Sequence, residues 1–203
     1  MTAEHHSILL LELGMQEWWR FYSDVVISTP TSQIIVAKHR SIMLLLNGYA
    51  RVVEILLWRN SINPNKPDND GQTPLGWAAY HWHEGVAEAL LRRDDINPNN
   101  ADADGETPLC WAAYYGYEGV AKVLLGRNDI NLDKPGNRGR TPLSCAAGHG
   151  HVGVVKMLLR RGDVNPDKPD NSGQTPVWWA ARNGHTRVIA LLQPPSAATH
   201  SMG

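Results

Sequence analysis

Apolar residues from Gly71 onward fall into two short blocks that recur together. The first reads GQTPLGWAAY from Gly71, GETPLCWAAY from Gly105, GRTPLSCAAG from Gly139 and GQTPVWWAAR from Gly173. The second reads GVAEALL from Gly85, GVAKVLL from Gly119, GVVKMLL from Gly153 and RVIALL from Arg187. Successive Thr-Pro pairs, at Thr73, Thr107, Thr141 and Thr175, are 34 residues apart. Fixed self-similarity at this period is the mark of a stacked repeat architecture. The second block carries its apolar residues at helical spacing, as in Val120, Val123 and Leu124. The pattern predicts two short helices per unit.

The polar positions supply the stops. Each Thr is placed to cap a helix and each Pro to stand at its first position, where a missing N–H costs nothing. Alanine pairs such as Ala78 and Ala79 let neighbouring units stack closely. Gly116, Gly150 and Gly184 provide the positive φ of a tight helix-to-helix turn. The end of the second helix is marked by Asn60, Asp94, Asn128 and Gly162, all types that tolerate a left-handed terminal residue. An Asn-, Asp-, Pro- and Gly-rich stretch follows and predicts a finger-like hairpin.

This helix-turn-helix-hairpin unit resembles the ankyrin repeat. The resemblance rests on the Thr-Pro-Leu start (Thr-Pro-Val in the last copy), the Ala-Ala pair, the Gly-His turns at Gly150-His151 and Gly184-His185, and second helices ending in Leu-Leu. It covers roughly residues 39–193. It implies an all-α solenoid with short β-hairpin loops and a degenerate unit at 39–68. Clear units follow at 69–102, 103–136 and 137–170, with a truncated one at 171–193. In the degenerate unit Asn47-Gly48-Tyr49 aligns with the turn and residues 52–57 with the second helix, while residues 42–46 have lost the Thr-Pro start. A divergent terminal unit is expected where one side faces solvent. The hairpins are also similar to those of fungal ankyrin arrays, some of which are sensor tails of NACHT-type receptors.

Residues 1–38 fall outside the repeat. Ile8, Leu11, Met15, Trp18 and Tyr22 stand three and four apart, which predicts one amphipathic helix that caps the stack or binds a partner separately. Residues 28–32 read as a linker and 194–203 as a flexible tail. In the last unit Ala190 stands where Glu54, Glu88, Lys122 and Lys156 stand earlier, so this end is less polar than a cap should be. A longer array, a second subunit through the C-terminal end, or the tail folding back would each account for it.

Composition narrows the function. Acids and bases nearly cancel, at net charge -1, against a nucleic-acid partner or an anionic membrane. The early apolar run at residues 8–13 has no basic start and is broken by Glu12, unlike a secretory signal. Two cysteines make no disulfide framework. An intracellular protein, cytoplasmic or nuclear, is expected. His81 with His83 and His149 with His151 suggest metal ligands, but residues two apart on a helix diverge. Cys110 and Cys145 read as packed structural thiols. No catalytic constellation, cofactor or metal site is expected.

What remains is a binding surface. The resemblance implies a concave face of hairpin tips and first-helix ends. At the tips stand Asp70, Gln72, Asp104, Glu106, Arg138, Arg140 and Gln174; at the helix ends stand Tyr80, His81, Tyr114, Tyr115, His149 and Arg182. These positions differ between units, as a surface that reads a partner should. Tyrosine is enriched at interface hot spots. The charges run from acidic to basic along the stack and would orient a protein partner of opposite polarity. Two departures stand out. Trp82 replaces the turn glycine, so either the turn changes shape or an exposed indole joins the face. The His of the family's Thr-Pro-Leu-His is replaced by Gly76, Cys110, Ser144 and Trp178, which removes a stabilising network. The reading is a protein-interaction module acting as adaptor, scaffold or regulator. The alternatives are a self-assembling structural protein and a fragment of a receptor's sensor array.

Overall fold

A computed structural model describes residues 50, 53–54 and 63–193. The expected N-terminal helix and linker, most of the degenerate unit, and the tail lie outside the described residues. The chain divides into units 1–41 and 42–203, and everything described belongs to the second.

Four helix pairs follow one another: α1 (Pro74–Tyr80) and α2 (Glu84–Leu91), α3 (Pro108–Tyr115) and α4 (Glu118–Leu125), α5 (Pro142–His149) and α6 (Val152–Arg160), α7 (Pro176–Arg182) and α8 (Thr186–Leu192). Val53 and Glu54, in the expected second helix of the degenerate unit, are also helical. Each first helix begins as the sequence predicts. Thr73, Thr107, Thr141 and Thr175 are extended and accept the backbone N–H groups of Gly76, Cys110, Ser144 and Trp178, with Pro at the helix start. First helices pack on first helices and second on second. Between them lies a layered core of Leu75, Leu109 and Leu143, then the alanine pairs Ala78-Ala79, Ala112-Ala113 and Ala146-Ala147, then Leu90, Leu124 and Leu158, all nearly solvent-free. The alanines permit the close approach, because no larger side chain holds the first helices apart. No helix among the described residues is long and apolar enough to cross a membrane.

Two expectations are corrected. The loops between units form no strand among the described residues. Each is closed by two backbone bonds, such as Asp102 N to Glu106 O at 3.1 Å and Gly105 N to Asp102 O at 2.9 Å, and the later three are tied to the unit before by another, such as Ala103 N to Asp70 O at 2.9 Å. Among the described second-helix ends only Gly162, at φ 74, is left-handed; Asp94 and Asn128 are not, and Asn60 lies outside the described residues. The reason lies in the next unit. Arg127 Nη1 donates to Leu91 O at 3.1 Å and Arg93 O at 3.2 Å. Arg161 Nη1 donates to Leu125 O at 2.6 Å and Arg127 O at 3.2 Å. The guanidinium takes the orphan carbonyls that a left-handed cap would otherwise serve.

Candidate functional site

Below three of the four described hairpins an aspartate organises the face. Asp102 Oδ1 accepts the N–H groups of Asp104 at 3.0 Å and Glu106 at 2.9 Å, folding the tip. Its Oδ2 accepts the Trp111 indole N–H at 2.8 Å and the Gln72 amide at 3.3 Å. Asp68 holds Trp77 in the same way at 2.6 Å, and Asp170 holds Trp179 at 3.0 Å. Burial pushes the Asp170 carboxyl up, but the Gln174 N–H, the Trp179 indole, the Ser172 N–H and the Arg140 charge outweigh it and hold it below the ordinary value. This clasp joins hairpin to first helix, a tie that the absent Thr-Pro-Leu-His histidine left in doubt.

The third unit lacks both partners at once, with Gly136 at the aspartate position and Cys145 at the tryptophan position. The Glu106 carboxylate lies where a Gly136 side chain would begin. Burial first, then the charges of Asp102 and Asp104, raises its pKa. Arg140, freed from a local indole, lies 3.5 Å over the Trp179 ring of the next unit.

The rings join into one surface. Tyr80 meets Trp111 edge-on at 5.0 Å and Tyr115 at 5.3 Å. Tyr114 meets Tyr115 at 5.0 Å and His149 at 4.1 Å. His81 stacks on Trp77 at 5.2 Å. A hydrogen bond with Tyr80, then burial, then the neighbouring phenols push the Tyr115 hydroxyl up to about 12. At the far end Arg182 lies 5.2 Å from the Trp178 ring.

Most of the expected face residues are at the surface. Asp70, Asp104, Arg138, Trp82, Tyr114, His149 and Arg182 are exposed, and Tyr80, His81, Tyr115, Glu106, Arg140 and Gln174 are half-buried. Gln72 is not: it is 8% exposed, its side chain turned into the space that Gly76 leaves beside it. Trp82 keeps the turn of the glycines, with φ 60, the one positive φ of a non-glycine among the described residues. Its exposed ring meets Tyr117. Sequence reasoning missed Trp77, Trp111 and Trp179 with their aspartates. Their joint recurrence, and joint loss at Gly136 and Cys145, was the available signal.

The chemistry set aside earlier has structural detail. The histidine pairs do not diverge: His81 and His83 stack at 6.1 Å, and His149 and His151 at 6.0 Å. The second member of each pair caps the next helix rather than continuing the first. Among the described residues no three His, Cys, Asp or Glu side chains group to hold a metal. Burial pushes the Cys110 thiol well up and Cys145 to about 12, so both stay protonated and poor nucleophiles.

Comparison with curated proteins finds no match. The family model for ankyrin repeats matches residues 39–135 and 127–200. With four stacked helix pairs at the 34-residue period and this match over most of its length, the chain belongs to the ankyrin-repeat family.

Proposed function

We propose that the chain is an adaptor, scaffold or regulator that binds a protein partner across its hairpin tips and first-helix ends. Ankyrin repeats are in general protein-interaction modules. The observation that carries the reading is the ring surface of Tyr80, Trp111, Tyr114, Tyr115 and His149, set beside indoles clamped by aspartates. Rings held in place lose little freedom on binding, so their buried area converts efficiently to affinity. Exposed Asp70 and Asp104 at one end and Arg138 and Arg182 at the other give the face a polarity. Affinity purification with mass spectrometry tests it. The parent should capture a partner that Y80A/Y114A/Y115A loses while its helical content stays unchanged. Equal capture by both would end the reading.

A second reading has its own observation. Side chains added at Gly105, Gly139, Gly116 or Gly150 would meet the next unit, whereas at Gly173 and Gly184 they would meet nothing among the described residues. Ala181 is exposed where Ala79, Ala113 and Ala147 are buried. That uncovered apolar side fits another repeat unit, from a second copy or from a longer receptor array. Sedimentation over a range of concentrations tests self-association; a constant monomer mass would exclude it.

A further inference from the structure

The turn between α1 and α2 departs from the repeat in a way that builds a cleft. In the later units the turn glycine is covered by a histidine of the next unit. His151 covers Gly116 and donates to Tyr114 O at 3.0 Å; His185 covers Gly150 and donates to Gly148 O at 3.1 Å. At the junction between the first two clear units both members change, to Trp82 and Tyr117. Tyr117 lays its ring against the indole at 6.0 Å, with 23° between the planes. At this junction lies a cleft of about 420 Å³ lined by Trp82, Glu84, Gly116, Tyr117, Glu118 and Gly119.

The chemistry of this cleft is unlike that of the tyrosine face. Trp82 is 64% exposed, so one face of its ring is open. Glu84 and Glu118 are exposed on the cleft wall, and among the described residues neither makes an ion pair. His151, which feels the Glu118 charge, is kept toward its neutral form, chiefly by burial. Elsewhere the chain covers its own indoles with arginine: Arg140 over Trp179, Arg182 over Trp178. No cation of the described chain covers Trp82. An open indole face, with the Glu84 carboxylate over Gly119 on the cleft wall and that of Glu118 beyond it over Gly153, complements a flat cation, which can stack on the ring while its N–H groups reach a carboxylate oxygen.

We infer that the Trp82–Tyr117 cleft is a subsite for an arginine side chain of the protein partner. The inference rests on the protein-binding reading and adds the chemistry of one partner residue. The left-handed Trp82 backbone is the cost of aiming a large ring at this place. Lysine fits less well, because its ammonium is compact and strongly hydrated and cannot stack.

The test uses the intact chain and a defined probe, the peptide acetyl-Gly-Arg-Arg-Gly-amide, with Lys-Lys and Glu-Glu counterparts. Titration followed by nuclear magnetic resonance reads the Trp82 indole N–H and the Gly116 amide. Saturable shifts of both are expected with the arginine peptide, weaker ones with lysine, none with glutamate. W82G restores the residue type of the other turns and should raise Kd about tenfold, and E84Q/E118Q about threefold or more. Y80A/Y114A, which keeps Tyr115 stacked on the cleft's Tyr117 at 5.4 Å, should leave this Kd unchanged; the triple tyrosine variant serves only the capture test. Arginine-peptide affinities of W82G and E84Q/E118Q both within twofold of the parent would overturn the inference. The protein-binding reading would survive that result if the tyrosine variant still lost its captured partner. It would fall separately if that variant captured its partner as the parent does.

Discussion

Trp111 donates its indole N–H to the Asp102 carboxylate at 2.8 Å, and that one carboxylate also folds the hairpin above it. Asp102→Ala therefore removes partners from two backbone N–H groups, an indole and the Gln72 amide together. Hydrogen bonds to a charged group contribute about 1.5–3 kcal/mol each, but surface-facing members are re-solvated, so a loss of about 3 kcal/mol is expected. Trp111→Phe, which keeps most of the ring area, should cost about 1 kcal/mol. Urea unfolding checks both, and equal costs would contradict the clasp.

The left-handed turn gives an opposed pair of substitutions. Gly116→Ala places a side chain at φ 73 and into the His151 ring, and should destabilise by about 2 kcal/mol or more. Trp82→Gly relieves about 1–2 kcal/mol of backbone strain. It loses ring stacking of about 0.5–1.5 kcal/mol and loosens the unfolded chain by about 0.5–1 kcal/mol. These terms nearly cancel, so thermal unfolding of Trp82→Gly should stay within a few degrees of the parent.

Arg161 links three elements, reaching Leu125 O, Arg127 O and Asp163. Arg161→Ala should cost about 2 kcal/mol, because the α4 carbonyls lose a charged donor in a partly buried place. Arg161→Lys should recover only part of this, since one ammonium cannot span the fork. Chemical unfolding of both variants decides it; full recovery by lysine would mean that charge alone matters.

Acid should loosen the stack in two stages. Burial is the largest influence on His151 and on His81, and both are lowered below the usual histidine value of about 6.5. The unfolded chain then takes up these protons first. Their contribution is complete above about pH 6.5 and declines as pH falls through and below it. Asp170, held below the ordinary aspartate value of about 3.9, contributes fully above that pH and loses its contribution as pH falls through its depressed value. Urea midpoints at pH 7.5, 6, 5 and 3.5 should show both declines, and His151→Gln should shrink only the first.

Local signals in the chain were enough to place the helix pairs. The capping Thr, the following Pro and the turn Gly act within a few residues, so their spacing carries their meaning directly. Other features act across the repeat. Gln72 was expected at the surface, yet it is buried because Gly76 leaves room four residues on and Asp102 accepts its amide from the next unit. The aspartate–tryptophan clasps were visible as recurring letters, but the hairpin tip and the start of the first helix had to fold before the two could meet.

The sequence by itself determined the period, the two helices of each unit, their starts and the stacked all-α class, because caps and apolar spacing are short-range properties. Tertiary structure alone decided how the units are joined and what they show to solvent. Arg127 and Arg161 became caps for the preceding unit, Tyr80 found Trp111 of the next, and Trp82 turned to Tyr117 rather than to Tyr80. Each of these contacts crosses from one repeat to its neighbour, so it depends on the distance and rotation between stacked units, which no residue encodes alone.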